Sequence, residues 1–243
     1  MEESALNRNA AGEHYLRILE KAARIANPRL YLEIGVQTGR SLAVMPHYAR
    51  CIGVDPDPKI SLPLPSSASI LKATSDEFFA KHAKSLGGRL FDMAFIDGMH
   101  LAEFALRDFC NTEILCHERS LILIHDSIPR DEETSRRDRS TVFWTGDVWK
   151  SIIVLRRERP DLRIITLDAA PSGLSVILGA KAKSPEAEKL RANLEKISEE
   201  MMKMPFSSLE KNRRHLGIIP AREGLAGIEA FLRSAPGEAA PSA

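Results

Sequence analysis

The chain has 243 residues, of which 44% are hydrophobic and 28% are charged, a composition that excludes wholesale disorder. This length suffices for one α/β domain around a single core and is too short for two large domains. The formal net charge of +1 gives no reason to expect nucleic acid or an anionic membrane as a partner.

The three cysteines are Cys51, Cys110 and Cys116, and none of them forms a CxxC pair. Their odd number and spacing argue against a disulfide framework or a structural zinc site and suit a reducing compartment. The polar first residues do not form a signal peptide, and no apolar run approaches the roughly 20 residues that span a bilayer. The sequence therefore predicts a cytoplasmic protein.

The first two thirds of the chain alternate short apolar runs with segments of helical period. The apolar runs predict five strands, at residues 29–35, 51–55, 67–74, 91–97 and 120–126. The intervening segments predict five helices, at residues 14–25, 39–48, 76–86, 101–115 and 147–158, with Ser75 or Asp76 as the cap of the third. Buried strands separated by helices are typical of a parallel sheet that is covered on both faces.

Two further strands, at residues 161–168 and 172–180, are separated only by Ala-Ala-Pro. Such a short connection permits a hairpin and forbids a parallel crossover, so one late strand is antiparallel. The predicted fold is α/β: a Rossmann-like, doubly wound, mostly parallel sheet of seven strands with helices on both faces. We expect one domain at residues 1–182 with a first helix at 12–26, a helical extension at 183–233 and a disordered tail at 234–243.

Polar or ionisable residues follow each of the first five predicted strands. In open α/β sheets ligands bind beyond the carboxyl ends of the strands, so these side chains should meet in one site. Two of the strands end with a carboxylate close to an imidazole. The residues in chain order are Glu33, Asp55, Thr74, Ser75, Asp76, Asp97 and the pair His125 and Asp126.

The first strand runs into a glycine turn, YLEIGVQTGRS. Gly35 and Gly39 allow the backbone to turn tightly and to approach a ligand closely, with Gln37 between them. The spacing is GxxxG and not the GxGxxG of dinucleotide sites. Asp55 follows about twenty residues after Gly35 at the tip of the next strand, where a carboxylate can accept hydrogen bonds from both hydroxyls of a ribose.

These motifs resemble those of class I S-adenosylmethionine-dependent methyltransferases. ExGxxxG spans Glu33 to Gly39, an acid stands at Asp55, and FIDGxH spans Phe95 to His100. IDGMH, followed by LILIHDSIP and WTGDVWK, is similar to the small-molecule O-methyltransferase-like group, which includes proteins labelled cephalosporin hydroxylases and macrolide-sugar methyltransferases. The resemblance covers roughly residues 29–179, and the late antiparallel strand agrees with it.

The resemblance implies S-adenosyl-L-methionine as the cofactor and a small-molecule methyl acceptor. Glu33, Gly35 and Gly39 would border its methionine part, with Gln37 and Ser41 as further contacts in the same turn. Asp55 would hold the ribose hydroxyls. The resemblance implies contacts with adenine or the neighbouring cofactor atoms at Thr74, Ser75, Asp76 and Asp97.

In metal-dependent relatives, the acid after the fourth strand and the polar pair after the fifth bind a divalent cation. Here these residues are Asp97, His125 and Asp126. Carboxylates suit Mg²⁺, whereas an imidazole suits a softer metal, so the sequence leaves open whether Mg²⁺, another divalent cation or no metal is bound.

Methyl transfer to a hydroxyl requires alignment of the reactants and removal of the hydroxyl proton. His100, three residues after Asp97, is the better candidate for the general base, with Asp97 beside it. His125 is open to two interpretations, a metal ligand or an imidazole that bonds the neighbouring loop. For His100 the alternative is a helix-capping residue.

The loop at residues 127–146 carries Phe143 and Trp144, and Trp149 follows it. It is predicted to overhang the site as a lid. The alternative is that the tryptophans anchor the next helix on the core, which stays open for Trp144 and is expected for Trp149. The C-terminal helices could form a homodimer or cover the substrate, and the sequence does not decide between these. Three alternative functions remain: an NAD-dependent oxidoreductase, a non-catalytic cofactor-binding relative, and a hydroxylase, for which no convincing His/carboxylate triad is present.

Overall fold

The computed structural model describes residues 12–234, and the predicted disordered tail therefore falls, apart from Ser234, outside the described residues. Eight strands form a single sheet in the order β3-β2-β1-β4-β5-β7-β6-β8. Their bounds are β1 Leu30–Ile34, β2 Arg50–Asp55, β3 Ala68–Lys72, β4 Phe91–Ile96, β5 Cys116–His125, β6 Arg163–Asp168, β7 Leu174–Leu178 and β8 Ile218–Pro220.

Strands β1 to β5 pair in parallel, and β7 is antiparallel to both of its neighbours, β5 and β6. The predicted mostly parallel sheet with a late antiparallel strand is therefore confirmed. The eighth strand is an addition, since β8 pairs with β6 from within a segment that the sequence predicts to be helical. The predicted domain boundary at residue 182 stays a prediction.

Helices cover both faces of the sheet. Their bounds are α1 Tyr15–Ala26, α2 Ser75–Glu77, α3 Ala102–Ile114, α4 Trp149–Glu158, α5 Pro185–Ala192, α6 Leu194–Lys203, α7 Ser207–Asn212 and α8 Ala221–Arg233. One apolar cluster packs α3, α4 and the helices α5 to α7 on one face, and a second packs α1 and α8 on the other. Within residues 12–234 no helix combines the length and apolarity needed to cross a membrane.

Two predicted helices differ from the structure. Residues 39–48 form only a short 3₁₀ turn at Leu42–Val44, because Met45 precedes Pro46 and adopts an extended backbone, as the residue before proline usually does. The helix predicted at 76–86 begins as α2, continues as a π-helical turn and ends as a 3₁₀ turn at Gly87. Its cap is Thr74, which forms a capping box with Glu77, so the predicted cap at Ser75 or Asp76 was wrong.

Candidate functional site

The ends of β4 and β5 bring together four of the predicted residues. His100 lies between two carboxylates: its Nδ1 is 2.9 Å from Oδ2 of Asp126, and its Nε2 is 3.4 Å from Oδ1 of Asp97. His125 Nδ1 lies 3.2 Å from the same Asp97 oxygen. We call Asp97, His100, His125 and Asp126 the acid–imidazole cluster.

The side chains of the cluster are only 5–24% exposed, so their charges interact more strongly than in water. Burial alone would lower the pKa of His100, but the carboxylates of Asp126 and Asp97 outweigh it and raise that pKa well above 6.5. The same opposition, burial against Asp126 and Asp97, leaves the pKa of His125 raised. Burial would raise the pKa of Asp97, but the two imidazoles lower it. The carboxylates therefore favour the charged form of both imidazoles.

The backbone at the cluster is also unusual. His100 and Asp126 both have φ of 57°, in the left-handed region that residues with a side chain rarely adopt. Gly146 passes directly over His100, and a Cβ at Gly146 would lie 1.7 Å from the His100 carbonyl oxygen. Only glycine permits this approach, which holds the His100 loop in place.

The glycine turn lies beside the cluster. Gly35 has φ of 87°, and a Cβ there would lie 2.0 Å from the carbonyl oxygen of Asp97, so the turn after β1 touches the end of β4. Asp55 Oδ2 accepts hydrogen bonds from the backbone of Val36 and Gln37, at 2.9 and 2.7 Å. Oδ1 of Asp55 accepts a third bond from the Asp57 amide at 2.7 Å, which leaves one lone pair of Oδ1 for a ligand hydroxyl.

Beneath this turn lies a buried carboxyl. Glu33 Oε1 accepts a hydrogen bond from Ser41 Oγ and Oε2 accepts one from the Tyr31 hydroxyl, both at 2.7 Å. Burial raises the pKa of Glu33 to about 8. The hydrogen bond between Glu33 and Ser41 therefore links the end of β1 to the residues after the turn. Within the turn, Gln37 is exposed and Gly39 is buried with φ of 85°.

The third strand ends farther from the cluster, because β2 and β1 lie between β3 and β4. Thr74 and Ser75 begin α2, and the carboxylate of Asp76 is held by Arg107 of α3 through two bonds of 2.8 and 2.7 Å. In the strand order these residues therefore lie on the far side of the glycine turn from the cluster.

The loop at residues 127–148 covers the other side of the cluster. The Trp144 ring stacks on the His100 ring, with centroids 5.2 Å apart and an interplanar angle of 9°. Trp149 is fully buried and donates from Nε1 to Ser135 Oγ at 2.8 Å, which confirms that it anchors the core. Arg137 ties the loop to α3, donating to both Glu103 oxygens at 2.6 and 2.9 Å and to Asp147 at 2.9 Å.

Three residues could hold a metal ion together: ligand atoms of Asp97, His100 and Asp126 lie within 4.8 Å of one another. The predicted set named His125 in place of His100. In this structure His125 Nε2 contacts Ser172 Oγ at 3.3 Å, and its Nδ1 faces Asp97. Membership of His125 in the metal site stays a prediction.

Sequence reasoning missed some neighbours of the cluster. Tyr15 of α1 stacks on His125 with ring centroids 4.1 Å apart, and Ser172 reaches His125 from the turn between β6 and β7. No sequence pattern indicates either contact. Tyr15, for example, is 110 positions from His125, and its surroundings in the sequence predict only an amphipathic helix. Asp147, which caps the start of α3 through the Ala102 amide at 2.8 Å, could have been suspected from WTGDVWK.

Part of the chain that forms this site is similar to a known protein family. Residues 32–127 match the family described as a methyltransferase domain. No curated protein sequence matches the chain.

Several solved structures share the fold. A Klebsiella pneumoniae protein assigned as an O-methyltransferase has 14% identity and a TM-score of 0.54, covering 69% of this chain and 80% of its own. The O-methyltransferase TomG of Streptomyces achromogenes, solved with S-adenosylmethionine, has 15% identity and a TM-score of 0.51, covering 69% and 80%. The Bacillus cereus O-methyltransferase, solved with S-adenosylhomocysteine, has 13% identity and a TM-score of 0.50, covering 68% and 80%.

These identities establish a common fold, while the family match places the glycine turn, Asp55, Asp97 and the end of β5 within a methyltransferase domain. The predicted resemblance to methyltransferases is therefore confirmed for residues 32–127, and the chain shares its fold with solved O-methyltransferases.

Proposed function

We propose that the protein is an S-adenosylmethionine-dependent O-methyltransferase that acts on a small hydroxylated molecule. The observation that carries this proposal is the meeting of Asp97, His100 and Asp126 at the sheet edge that also holds the glycine turn. Similar folds have been solved with S-adenosylmethionine or S-adenosylhomocysteine bound, which supports the choice of cofactor.

The cofactor is proposed to lie over the ends of β1 and β2. The glycine turn approaches it with main-chain atoms, and Asp55, at the tip of β2, holds its ribose. The buried Glu33 and Ser41 keep the turn in shape. The proposed cofactor residues are Glu33, Gly35, Gln37, Gly39, Ser41, Asp55, Thr74, Ser75, Asp76 and Asp97.

The reaction is an in-line displacement, so the protein contributes mainly by aligning the acceptor oxygen with the sulfonium methyl group. His100 is proposed to accept the hydroxyl proton, with Asp97 orienting its ring. The carboxylates of Asp126 and Asp97 favour the protonated form of His100, so it is competent as a base only above its raised pKa.

The donor set of Asp97, His100 and Asp126 fits a divalent cation, because two carboxylates and one imidazole are ligands of such ions. A cation bound there would use the His100 imidazole as a ligand and so would replace it as the base: its positive charge would lower the pKa of an acceptor hydroxyl instead. The imidazole in this set favours Mn²⁺ or Zn²⁺ over Mg²⁺. His125, which faces Asp97, is proposed as a further ligand of the same ion.

The cofactor is tested by calorimetric titration with S-adenosylhomocysteine and, separately, with NADH. The protein should bind the first and not the second. Binding of NADH alone would contradict the proposal and favour an oxidoreductase.

The catalytic assignment is tested by incubating the protein with methyl-labelled cofactor and hydroxylated small molecules, followed by mass spectrometry of methylated products. His100→Asn should lower the rate of an active pair by about 10²–10⁴-fold, the usual contribution of a general base. His117→Asn is a matched control, because His117 pairs with Asp92 at 3.1 Å at the opposite ends of the same two strands. Equal rates in the two variants would overturn the role of His100.

A further inference from the structure

The imidazole of His125 is held at both of its nitrogens. Its Nδ1 lies 3.2 Å from Oδ1 of Asp97, and its Nε2 lies 3.3 Å from the hydroxyl oxygen of Ser172. Little water reaches these contacts, since the His125 side chain is 8% exposed and Ser172 is fully buried. Because Ser172 occupies one nitrogen, the other nitrogen is directed at the carboxylate of Asp97.

Aromatic side chains also pack against this imidazole. The Tyr15 ring lies 4.1 Å from the His125 ring and the Phe95 ring lies 6.0 Å from it, measured between centroids. Turning the imidazole over would put carbon atoms in the places of both nitrogens. Asp97 and Ser172 would then each lose a buried hydrogen bond, which is costly where water cannot replace it. The contacts therefore favour a single orientation of His125.

Ser172 is itself fixed, because its turn between β6 and β7 is joined to two other segments. The Ser172 carbonyl accepts a hydrogen bond from the Ile128 amide at 2.7 Å. A Cβ at Gly173 would lie 2.4 Å from the Ile128 side chain, so the turn packs directly on the residues that follow β5. On its other side, the turn accepts a bond of 2.8 Å from the Tyr15 amide to the Ala170 carbonyl. The hydroxyl of Ser172 thus has a set position relative to the end of β5.

A hydroxyl suits the place beside Nε2 because it can both donate and accept a hydrogen bond. The carboxylate of Asp97 favours a hydrogen on Nδ1 of His125. When the imidazole is neutral, Nε2 can therefore accept from Ser172, and when it is charged, Nε2 can donate to the same oxygen. His125 keeps its orientation in both states, and with it the direction from which it bonds Asp97.

We propose that Ser172 is a positioning residue of the methyl-transfer site and acts through His125 to fix the carboxylate of Asp97. This inference rests on the proposed function. Asp97 also lies beside His100, so its orientation affects how the proposed base is aligned with the acceptor hydroxyl. If His125 binds an ion, the same bond from Ser172 holds the ligand in place. Ser172 lies outside residues 32–127, which match the methyltransferase family.

The contact is tested by NMR of the full chain with labelled histidine, in the presence of a chelator. Nδ1 of His125 should carry a hydrogen in the unmodified protein, with the signals assigned by their loss in His125→Asn. Ser172→Ala should shift or broaden these signals, because Nε2 loses its partner. Ser175→Ala is the matched control, since Ser175 is equally buried on the same hairpin but bonds Thr166 at 2.8 Å.

Kinetics test the consequence for methyl transfer, with an acceptor that the unmodified protein methylates. Ser172→Ala should lower kcat by about 10–100-fold, the usual effect of removing a group that orients a functional side chain. The KM for S-adenosylmethionine should stay unchanged, because Ser172 does not contact the cofactor. Ser172→Cys, which has a weak donor and acceptor, should recover part of the rate. Ser175→Ala should keep the rate, whereas a mere loss of stability would affect both alanine variants.

Three outcomes would overturn the inference. In the first, Nδ1 of His125 carries no hydrogen in the unmodified protein. In the second, Ser172→Ala and Ser175→Ala have equal kcat and equal His125 signals. In the third, Ser172→Ala raises a KM without lowering kcat, which assigns Ser172 to binding. Failure of the unmodified protein to methylate any hydroxylated molecule would instead contradict the proposed function, and the NMR spectra would still decide whether Ser172 orients His125.

Discussion

At the scale of single residues, the site concentrates backbone conformations that side chains disfavour. Gln37, His100 and Asp126 have φ of 46°, 57° and 57°, and all three lie at strand ends next to the proposed site. Asn27, the fourth non-glycine case among the described residues, merely ends α1. Each such conformation costs on the order of 1 kcal/mol and persists only where its surroundings hold it. The strain therefore coincides with the proposed chemistry.

The titration of His100 is the first prediction at this scale. In metal-free protein its imidazole should titrate well above pH 6.5, because the two carboxylates outweigh burial. Asp126→Asn removes the closer carboxylate and should move the midpoint to lower pH, as measured by NMR of histidine-labelled protein. Asp92→Asn, which alters the His117 pair instead, should leave His100 unchanged. A midpoint at or below 6.5 in the unmodified protein would contradict the pairing.

Glu33 makes a second prediction, for stability. Its pKa rises from 4.5 to about 8 on burial, so the folded protein holds this proton more tightly than the unfolded chain does. The resulting stabilisation is complete below about pH 4.5 and is lost as the pH rises through about 8. The free energy of unfolding, measured in urea, should therefore fall less between pH 5 and pH 8 in Glu33→Gln than in the unmodified protein. Glu118→Gln, at an exposed site, should follow the unmodified protein.

At the scale of elements, the loop at residues 127–148 is held in position by hydrogen bonds between side chains. Arg137 binds Glu103 on α3 and Asp147 at the end of the loop, and Asp147 in turn caps α3 through Ala102. The loop consequently presents Trp144 to His100 in a fixed position. Its proposed role as a lid that excludes water depends on these bonds.

Arg137→Gln should loosen this loop, because it replaces three charge-assisted hydrogen bonds with weaker neutral ones. Hydrogen exchange measured by mass spectrometry should become faster across residues 127–148 and stay unchanged in the sheet. The neighbouring Arg136→Gln is the control, since Arg136 pairs only with the exposed Asp138 among side-chain partners described here. Identical exchange in the two variants would mean that Arg137 does not fasten the loop.

At the scale of the whole molecule, one buried ion pair links α3 to the end of α4 and lies against α5. Arg159, at the end of α4, forms two bonds to Glu113 of α3, at 2.8 and 2.7 Å, and both side chains are almost fully buried. Glu113 also accepts from the Lys181 amide and lies 3.6 Å from Arg191 of α5. Three helices therefore depend on this pair.

Arg159→Met should destabilise the protein by about 3–5 kcal/mol, because it leaves the Glu113 carboxylate buried without its main partner. The free energy of unfolding in denaturant measures this loss. Arg157→Gln, two residues earlier and half exposed, should change it by no more than about 0.5 kcal/mol. A small effect of Arg159→Met would show that water or Arg191 replaces the lost partner.

Much of the fold could be predicted from the local pattern of apolar and polar residues in the sequence. Four of the five parallel strands lie within one or two residues of their predicted bounds, and β5 begins four residues early. The antiparallel strand β7 followed from the length of one connection. Strands are apolar runs and hairpins need short links, so neighbouring residues carry this information. The prediction of a helix at residues 39–48 was wrong because Pro46 restricts the backbone of Met45 to an extended conformation. Strand β8 was not predicted because its three residues are too few to show a periodic pattern.

For the site, the sequence by itself determined which carboxylates and imidazoles end the buried strands, and hence that they share one edge of the sheet. Only the tertiary structure decided how they pair. His100 meets both Asp97 and Asp126 because its loop turns into the left-handed region beneath Gly146, and Tyr15 reaches His125 because α1 is bonded to a turn 155 positions later in the chain. Such contacts depend on how distant segments pack against one another, and no spacing within a single segment encodes that packing.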